Sequence, residues 1–338
     1  MLEAFAPHIG TLQAARRLHV ALSGGIDSLS LLVAICRLAE EETLPPIIAI
    51  HINHQLQPDA SAWADRCAEF CSELGVDLTI RVVSVVDSGK GPEAAARQAR
   101  YEVFESLLIP GDLLLLGHHQ DDQAETLMLR LLRGAGPRGL SGMPQSRACG
   151  HGSLLRPLLH TPRSVIEAFA ASESLDPIAD ASNSDTRYDR NFIRHEVLPV
   201  LERRWPGYRE SFSRVTDQQR QLATSLLTRP LNLTQSALGD PGLKLVDDDV
   251  GRLAQDLYQW LYHLSLPTFS HEQLIEFARQ CVSAEQHKQP SLSQGEVTLM
   301  RWRGAIFAYQ STVPTRDLPN TVVVGDELNG AWGVLDWV

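Results

Sequence analysis

The stretch Ser23, Gly24, Gly25, Ile26, Asp27, Ser28 places two hydroxyls, two glycines and one acid between an apolar run and the start of helical spacing. Glycines let a backbone approach an anion closely, and the unpaired N–H groups at a helix start favour phosphate. A Walker loop carries a lysine before its Ser/Thr, and a dinucleotide fingerprint reads G-x-G-x-x-G; this loop does neither. Asp27 repels phosphate unless a cation stands between them, so a magnesium-bridged triphosphate, or its pyrophosphate portion, suits the stretch best. The bland alternative is a polar strand-to-helix turn with an acid near its N-cap.

A second cluster reads GHHQDDQAET from Gly117, with His118, His119, Asp121, Asp122 and Glu125 close together. Asp122 and Glu125 are three apart and share a helix face, where they can hold magnesium or an ammonium group. A transition-metal site is the weaker reading, because adjacent histidines on a strand point to opposite sides and the spacing matches no usual ligand pattern. GAGPRG, from Gly134, satisfies G-x-G-x-x-G formally but follows a helix and is crowded by arginines, so it is a false match. From Thr126 to Ile166 there are six arginines and no acid. In an acidic chain this run predicts a phosphate-facing surface, with a solvated face as the alternative. In the third cluster, DASNSDTRYDRNFIRHEVLPVLERRWPG from Asp180, Arg190, Asn191 and Arg194 are spaced to line one side of a helix start, with a salt-bridged surface helix as the alternative.

These residues need a scaffold. Apolar runs beginning LHVALSG, IIAIHINH, LTIRVVSVV, DLLLLGHH and SLLRPLL alternate with helical spacing at roughly 28–42, 60–74, 92–108 and 121–133. The alternation predicts an α/β fold, a doubly wound parallel sheet of Rossmann-like type over 1–210, with ligands at the carboxyl ends of its strands. After RRWPGY the pattern becomes mainly helical, giving a second domain over 211–310 that closes on a hairpin in EVTLMRWRGAIFAYQ. Residues 311–338 read as a partial β segment or the start of a further domain.

The chain has 338 residues, 43% of them hydrophobic, and a formal net charge of −11. That balance excludes a protein that coats nucleic acid indiscriminately but not a local basic site. No apolar run reaches the length of a membrane span and the N-terminus lacks a secretory core, so a cytoplasmic protein without a membrane role is expected. Five irregularly spaced cysteines form no disulfide framework, and Cys67 and Cys71 share a helix face as packing residues.

The motif S-G-G-x-D-S after a first strand resembles the pyrophosphate loop of the PP-loop ATP pyrophosphatases, which cleave ATP between its α and β phosphates. In order, Ser23–Ser28, EAAARQARYEVF from Glu93, GHHQDDQAET, RGAGPRGLSGM from Arg133, RPLL from Arg156, DASN from Asp180 and YDRNFIRHEVLPVL resemble the tRNA(Ile)-lysidine synthetase family. The resemblance covers most of the first domain and extends more loosely past Trp205.

It implies an enzyme that adenylates the C2 oxygen of the first anticodon cytidine of tRNA(Ile) with a CAU anticodon, after which free L-lysine displaces AMP to give lysidine. ATP and Mg2+ are the implied cofactors. Ser23, Gly24, Gly25, Ile26, Asp27 and Ser28 would cradle ATP, with Arg97 facing the triphosphate; Arg100 is a further candidate for that role. Asp27 and Asp122 would meet the metal. Asp122 and Glu125 would bind lysine or help deprotonate it, Arg194 would neutralise charge, and His118 would contact the reacting phosphate. Arg130, Arg133, Arg138 and Arg190 would position the RNA.

DASN carries alanine where the family more often has proline or glutamate. The chain stops where long-form members continue into a tRNA-gripping domain, so weaker tRNA binding than in long forms is expected. The division of roles among Asp122, Glu125 and Arg194 stays open, as does the oligomeric state, with a homodimer one outcome. The nearest rival is a PP-loop tRNA sulfurtransferase, which needs a reactive cysteine near the crevice; Cys67, Cys71 and Cys149 are poorly placed for it. A rival from another class is a nucleotide or RNA-binding module without turnover.

Overall fold

A computed structural model describes residues 1–55, 59–83, 92–178, 184–236, 239–267, 269–285, 287–310, 328–330 and 333–335, with the side chains of 92–94 and 328–335 left aside. By compactness the chain falls into two units, Met1–Ala223 and Thr224–Val338.

The first unit is built on a six-stranded sheet: β1 (Arg17–Ala21), β2 (Ile47–Asn53), β3 (Asp77–Val82), β4 (Asp112–Leu115), β5 (Ser146–Cys149) and β6 (Gly152–Leu155), in the order β3-β2-β1-β4-β6-β5. All neighbours pair in parallel except β5 with β6. The antiparallel edge strand departs from the all-parallel expectation. Its residues SRAC are mostly exposed, so no apolar run announces it.

Strand order reverses between β1 and β4, and that switch point opens a crevice beyond their carboxyl ends. Helices α1 (Ile9–Ala14), α2 (Ile26–Glu41), α3 (Ala60–Glu73), α4 (Pro92–Leu107), α5 (Gln120–Leu132), α6 (Pro137–Leu140) and α7 (Arg163–Ser172) accompany the sheet, preceded by a 3₁₀ segment, Leu2–His8. Beyond them, α8 (Asp189–Phe192), a π-helical turn (Ile193–Val197) and α9 (Leu198–Arg204) follow one another without a break, and a turn over 205–207 leads to α10 (Tyr208–Leu227).

Helix α2 is apolar nearly all round, with Leu29, Leu31, Leu32, Val33, Ala34 and Ile35 buried, so it packs as a core element rather than a surface one. Leu18 and Val20 of β1, Leu113 and Leu115 of β4 and Leu155 of β6 meet it. The opposite face holds Ile50, Phe104, Leu108, Leu114 and Leu154. A strand clamped between two apolar layers cannot slip by one residue without exposing its set, which fixes where β1 and β4 end.

The second unit carries an antiparallel sheet beside its helices. The strands are β7 (Leu233–Gln235), β8 (Pro241–Lys244), β9 (Ser291–Gln294), β10 (Val297–Trp302) and β11 (Ala305–Gln310), in the order β7-β8-β11-β10-β9. Helices α11 (Val250–His263) and α12 (His271–Ser283) pack Leu257, Trp260, Leu261, Leu274 and Phe277 against Leu299 and Ile306. Both helices are capped, by Asp249 and by Ser270 with Gln273. The expected hairpin is β10–β11. Of residues 311–338, β12 (Leu328–Gly330) and β13 (Gly333–Leu335) are described and pair as a short ribbon; the rest of that expected β segment lies outside the described residues. Among the described residues no helix is long and apolar enough to cross a membrane.

Candidate active site

β1 ends at Ala21 and the loop Ser23–Ser28 turns at once into α2. Gly24 has φ +85°, a conformation that costs a side chain dearly, so glycine is needed there. Ser28 Oγ donates to the Gly25 carbonyl at 2.9 Å and accepts the Ser23 N–H at 3.1 Å, closing the loop on itself. Asp27 stands in the first helical turn, and its Oδ1 is buried without a hydrogen-bond partner.

β4 delivers the second cluster to the same place. Gly117 lies against the first loop so closely that a Cβ on it would sit 3.0 Å from the Asp27 carbonyl oxygen. His119 caps α5, and its N–H donates to Asp122 Oδ2 at 2.9 Å. One cavity of about 410 Å³ is lined by Ser23, Asp27, Ser28, His118 and Asp122. Its far wall includes His51, His54, Trp63 and Arg100, of which only Arg100 was expected.

His119 was not among the expected site residues. Its Nε2 lies 3.6 Å from Asp27 Oδ1 and 3.5 Å from Asp122 Oδ2, and its Nδ1 3.8 Å from Asp121 Oδ2. Burial works against its charge, but Asp27, Asp122 and Asp121 raise its pKa above the ordinary value. Of the two histidines His118 is on the cavity wall and His119 is buried behind it, so one reaches the crevice as the alternation argument expected, although β4 stops at Leu115 and both stand beyond the strand.

The third cluster reaches this site from the far side. Arg190 Nε donates to Glu125 Oε2 at 2.7 Å and its Nη2 to Asp122 Oδ1 at 2.9 Å. Arg194 Nε donates to Glu125 Oε1 at 2.6 Å, and its Nη2 to Glu125 Oε2 at 3.0 Å and Asp122 Oδ1 at 3.3 Å. The π-helical turn holding Arg194 directly follows the helix of Arg190 and brings the two guanidiniums onto the same carboxylates. Burial penalises the Asp122 carboxylate, yet His119 and Arg190 more than offset it and hold its pKa down at about 2.

Several expectations are corrected here. Arg190, expected on RNA, turns inward onto the acids. Glu125 is 0% exposed under two arginines and is not part of the cavity wall. Arg97 stacks on Tyr101 outside the cavity, and Arg100 lines it instead. Arg130 donates to the carbonyls of Gly139 and Gly142, bracing the loop rather than facing out. Arg156 of the arginine run is buried, and Arg163 pairs with Glu167. Arg133 and Arg138 are exposed, Arg133 near Asp189. GAGPRG forms the loop into α6, with no strand before it. The DASN motif lies outside the described residues.

Cys67 and Cys71 are buried on α3, and burial pushes their thiols up to about 11 and about 12. A thiol so poorly ionised is an inert packing group.

The family model described as a PP-loop domain matches residues 1–201. Curated tRNA(Ile)-lysidine synthases match as well. That from Alkalilimnicola ehrlichii is 41% identical over 310 residues, covering 90% of this chain and 69% of the relative. The chain belongs to the tRNA(Ile)-lysidine synthases, within the PP-loop family. The Pseudomonas fluorescens protein is 46% identical over 221 residues, 65% of this chain and 50% of its own, and the Chromobacterium violaceum protein 38% over 295 residues, 86% and 67%. The chain thus spans between half and about two thirds of the length of these relatives. Among solved structures, the U34-tRNA thiolase NcsA from Methanococcus maripaludis with its 4Fe-4S cluster shares the fold at a TM-score of 0.56 and 18% identity, covering 65% of this chain and 77% of that one.

Proposed function

We propose that this member of the family joins free L-lysine to the first anticodon cytidine of tRNA(Ile), using ATP and releasing pyrophosphate and AMP. The observation that carries the reading is that Asp27, from the pyrophosphate loop, and Asp122, from the second cluster, line one cavity. Adenylation turns the cytidine C2 oxygen, a poor leaving group, into a good one, and lysine's ε-amine then displaces AMP.

The loop Ser23–Ser28 receives the polyphosphate through backbone N–H groups and the start of α2. Among the described residues no set of three or more acids, histidines or cysteines is arranged to hold a metal. Mg2+ does not need one, since it is commonly held by one or two carboxylates together with substrate phosphates. The orphaned Asp27 Oδ1, with Asp122 on the same wall, suits that arrangement. Mg2+, when bound, would neutralise phosphate charge there.

Asp122 is the member of the acid pair on the cavity wall, and we assign it the ammonium of lysine as well. A carboxylate held near pKa 2 binds a cation well and accepts its proton poorly, so Asp122 holds lysine rather than deprotonating it. Glu125 and Asp122 hold Arg194, and we assign its charge to oppose that developing on the adenylate. Arg133 and Arg138, exposed beyond α5, are assigned to the anticodon arm. Five free thiols fit work in the cytoplasm.

The sulfurtransferase reading is disfavoured by the inert Cys67 and Cys71. The deciding assay combines the protein, ATP, magnesium, labelled lysine and a tRNA(Ile) transcript with a CAU anticodon. Label enters the RNA at the first anticodon base if the reading is right; ATP-dependent sulfur incorporation, or no tRNA-dependent turnover, would refute it.

A further inference from the structure

Arg156 is 2% exposed and makes no ion pair with a carboxylate among the described residues. A guanidinium buried without a counter-charge is costly, and such a group persists when its geometry serves something else. All three nitrogens of this one have assigned partners. Nη1 donates to the Pro144 carbonyl at 2.7 Å, Nη2 to Tyr101 Oη at 3.2 Å, and Nε to His118 Nδ1 at 3.2 Å. Tyr101 is itself held under the guanidiniums of Arg147 and Arg97, 4.8 and 5.1 Å from its ring centre.

The third bond decides the state of His118. A guanidinium is always protonated and only donates, so Nδ1 must accept with its lone pair. The single proton of the neutral ring is then on Nε2. His118 lines the cavity beside Asp122, and no other residue among those described takes its Nε2. We propose that Arg156 is a positioning residue: it locks His118 as the neutral Nε2–H tautomer, so that the imidazole presents a fixed hydrogen-bond donor, and never a base, to a phosphate oxygen of the bound nucleotide. Burial also pushes the His118 pKa down to about 3, which keeps the ring neutral and agrees with the geometry. An imidazole freed of that bond is held neither in its tautomer nor in its orientation, and can turn a lone pair toward the same oxygen.

The inference deepens the reading of the site as an ATP-using one, and its test separates the two. Long-range 1H–15N correlation spectra of the full chain with labelled histidine, without substrates, report the tautomer directly. His118 in the wild type shows an unprotonated Nδ1 and a protonated Nε2 at pH 7, whatever the protein's substrate; the reverse tautomer, or a charged ring, overturns the proposal.

The second arm measures pyrophosphate release with ATP and the CAU transcript. Arg156→Gln lowers kcat about tenfold or more, by the usual weight of one preorganised donor, and shifts His118 toward a mixture of tautomers. Arg156→Lys restores neither fully, because one ammonium cannot hold three partners in a plane. On a His118→Ala background, Arg156→Gln adds no further loss if it acts through the imidazole. Independent losses that multiply would show a merely structural role. If Arg156→Gln does not fold, the wild-type spectrum alone still decides. Should the tautomer be as stated while no tRNA-dependent turnover occurs, the functional reading fails and the positioning of His118 stands.

Discussion

The carboxylates of Asp27 and Asp122 converge on one imidazole: His119 Nε2 lies 3.6 Å from the first and 3.5 Å from the second. Asp27 belongs to the loop after β1 and Asp122 to the helix after β4, so the ring is the point where the two motifs meet. The sheet brings them together because β1 and β4 are direct neighbours at the reversal of strand order.

That meeting depends on Gly117. A methyl group there would stand 3.0 Å from the Asp27 carbonyl oxygen and 3.1 Å from its carbon, and backbone cannot swing aside as a side-chain end can. Gly117→Ala therefore displaces the Asp27 loop. ATP-dependent turnover is expected to fall about tenfold to a hundredfold, since a shift of under an ångström misaligns reacting groups. Gly10→Ala in α1, where a Cβ meets nothing within 4 Å, is the control and keeps full rate. Equal rates for the two variants would remove the close approach from the account.

Glu125 is the hub of the inner ion-pair network. Replacing it with glutamine removes one of the two carboxylates that Arg190 and Arg194 share, in a site where Glu125 itself is 0% exposed. Breaking a buried pair from one side costs about 3 kcal/mol, against under about 1 kcal/mol for a surface pair. Urea unfolding of Glu125→Gln checks this, and a change below about 0.5 kcal/mol would mean the arginines are solvated and mobile.

The pH dependence of stability carries a signature of His118. Its folded pKa, about 3, lies below the ordinary 6.5, so between those values the unfolded chain binds a proton that the folded chain refuses. The contribution of this group is intact above pH 6.5 and is lost progressively as pH falls toward 3, with a limiting slope of about 1.4 kcal/mol per pH unit. His54, pushed down to about 4, adds in the same direction. Asp122, held at about 2, contributes stability above pH 3.8 that disappears only as pH drops through 2. His118→Gln should flatten the loss between pH 6.5 and 4 in urea midpoints; a curve superimposable on the wild type would place a protonatable His118 in solvent.

Cys67 and Cys71 serve as a discriminating pair. With thiols at about 11 and about 12 neither supplies a thiolate at neutral pH, so alanine at both leaves lysine incorporation within about twofold. Stability drops by about 1–2 kcal/mol for the lost packing. Abolished turnover in a folded double variant would favour sulfur chemistry.

Strands β1, β2, β4 and β6 were legible because each lies against apolar layers within an apolar run, whereas β3, a largely exposed edge strand, was legible from its β-branched residues Thr79, Ile80 and Val82. The helices between them were legible by their spacing. β5 was not, since an exposed edge strand of four residues buries only Cys149. In the second unit β7 was hidden as a short exposed edge strand and β8 because Pro241 and Gly242 read as a turn, whereas the β10–β11 hairpin alternates plainly.

In the site, the acids and the phosphate loop were legible from residue type. The arginines were not, because charge says nothing of direction. Arg190 and Arg130 turn inward, and Arg156 sits beneath His118 at the end of an apolar run where its type suggests a surface. His119 was missed because it meets Asp27 and Asp122 from behind the cavity wall, a place that residue type does not announce. Had the polar pair His118 and His119 been read as the exit from β4 and the N-cap of α5, both would have been placed at the site.

The most direct test is a crystal structure of the chain with magnesium and a non-hydrolysable ATP analogue. The polyphosphate is expected against Ser23–Ser28, the metal at about 2.1 Å from an oxygen of Asp27, and Asp122 and His118 on the wall of that same cavity. A nucleotide bound elsewhere, or bound so that Asp122 faces a compartment the phosphates do not reach, would contradict it.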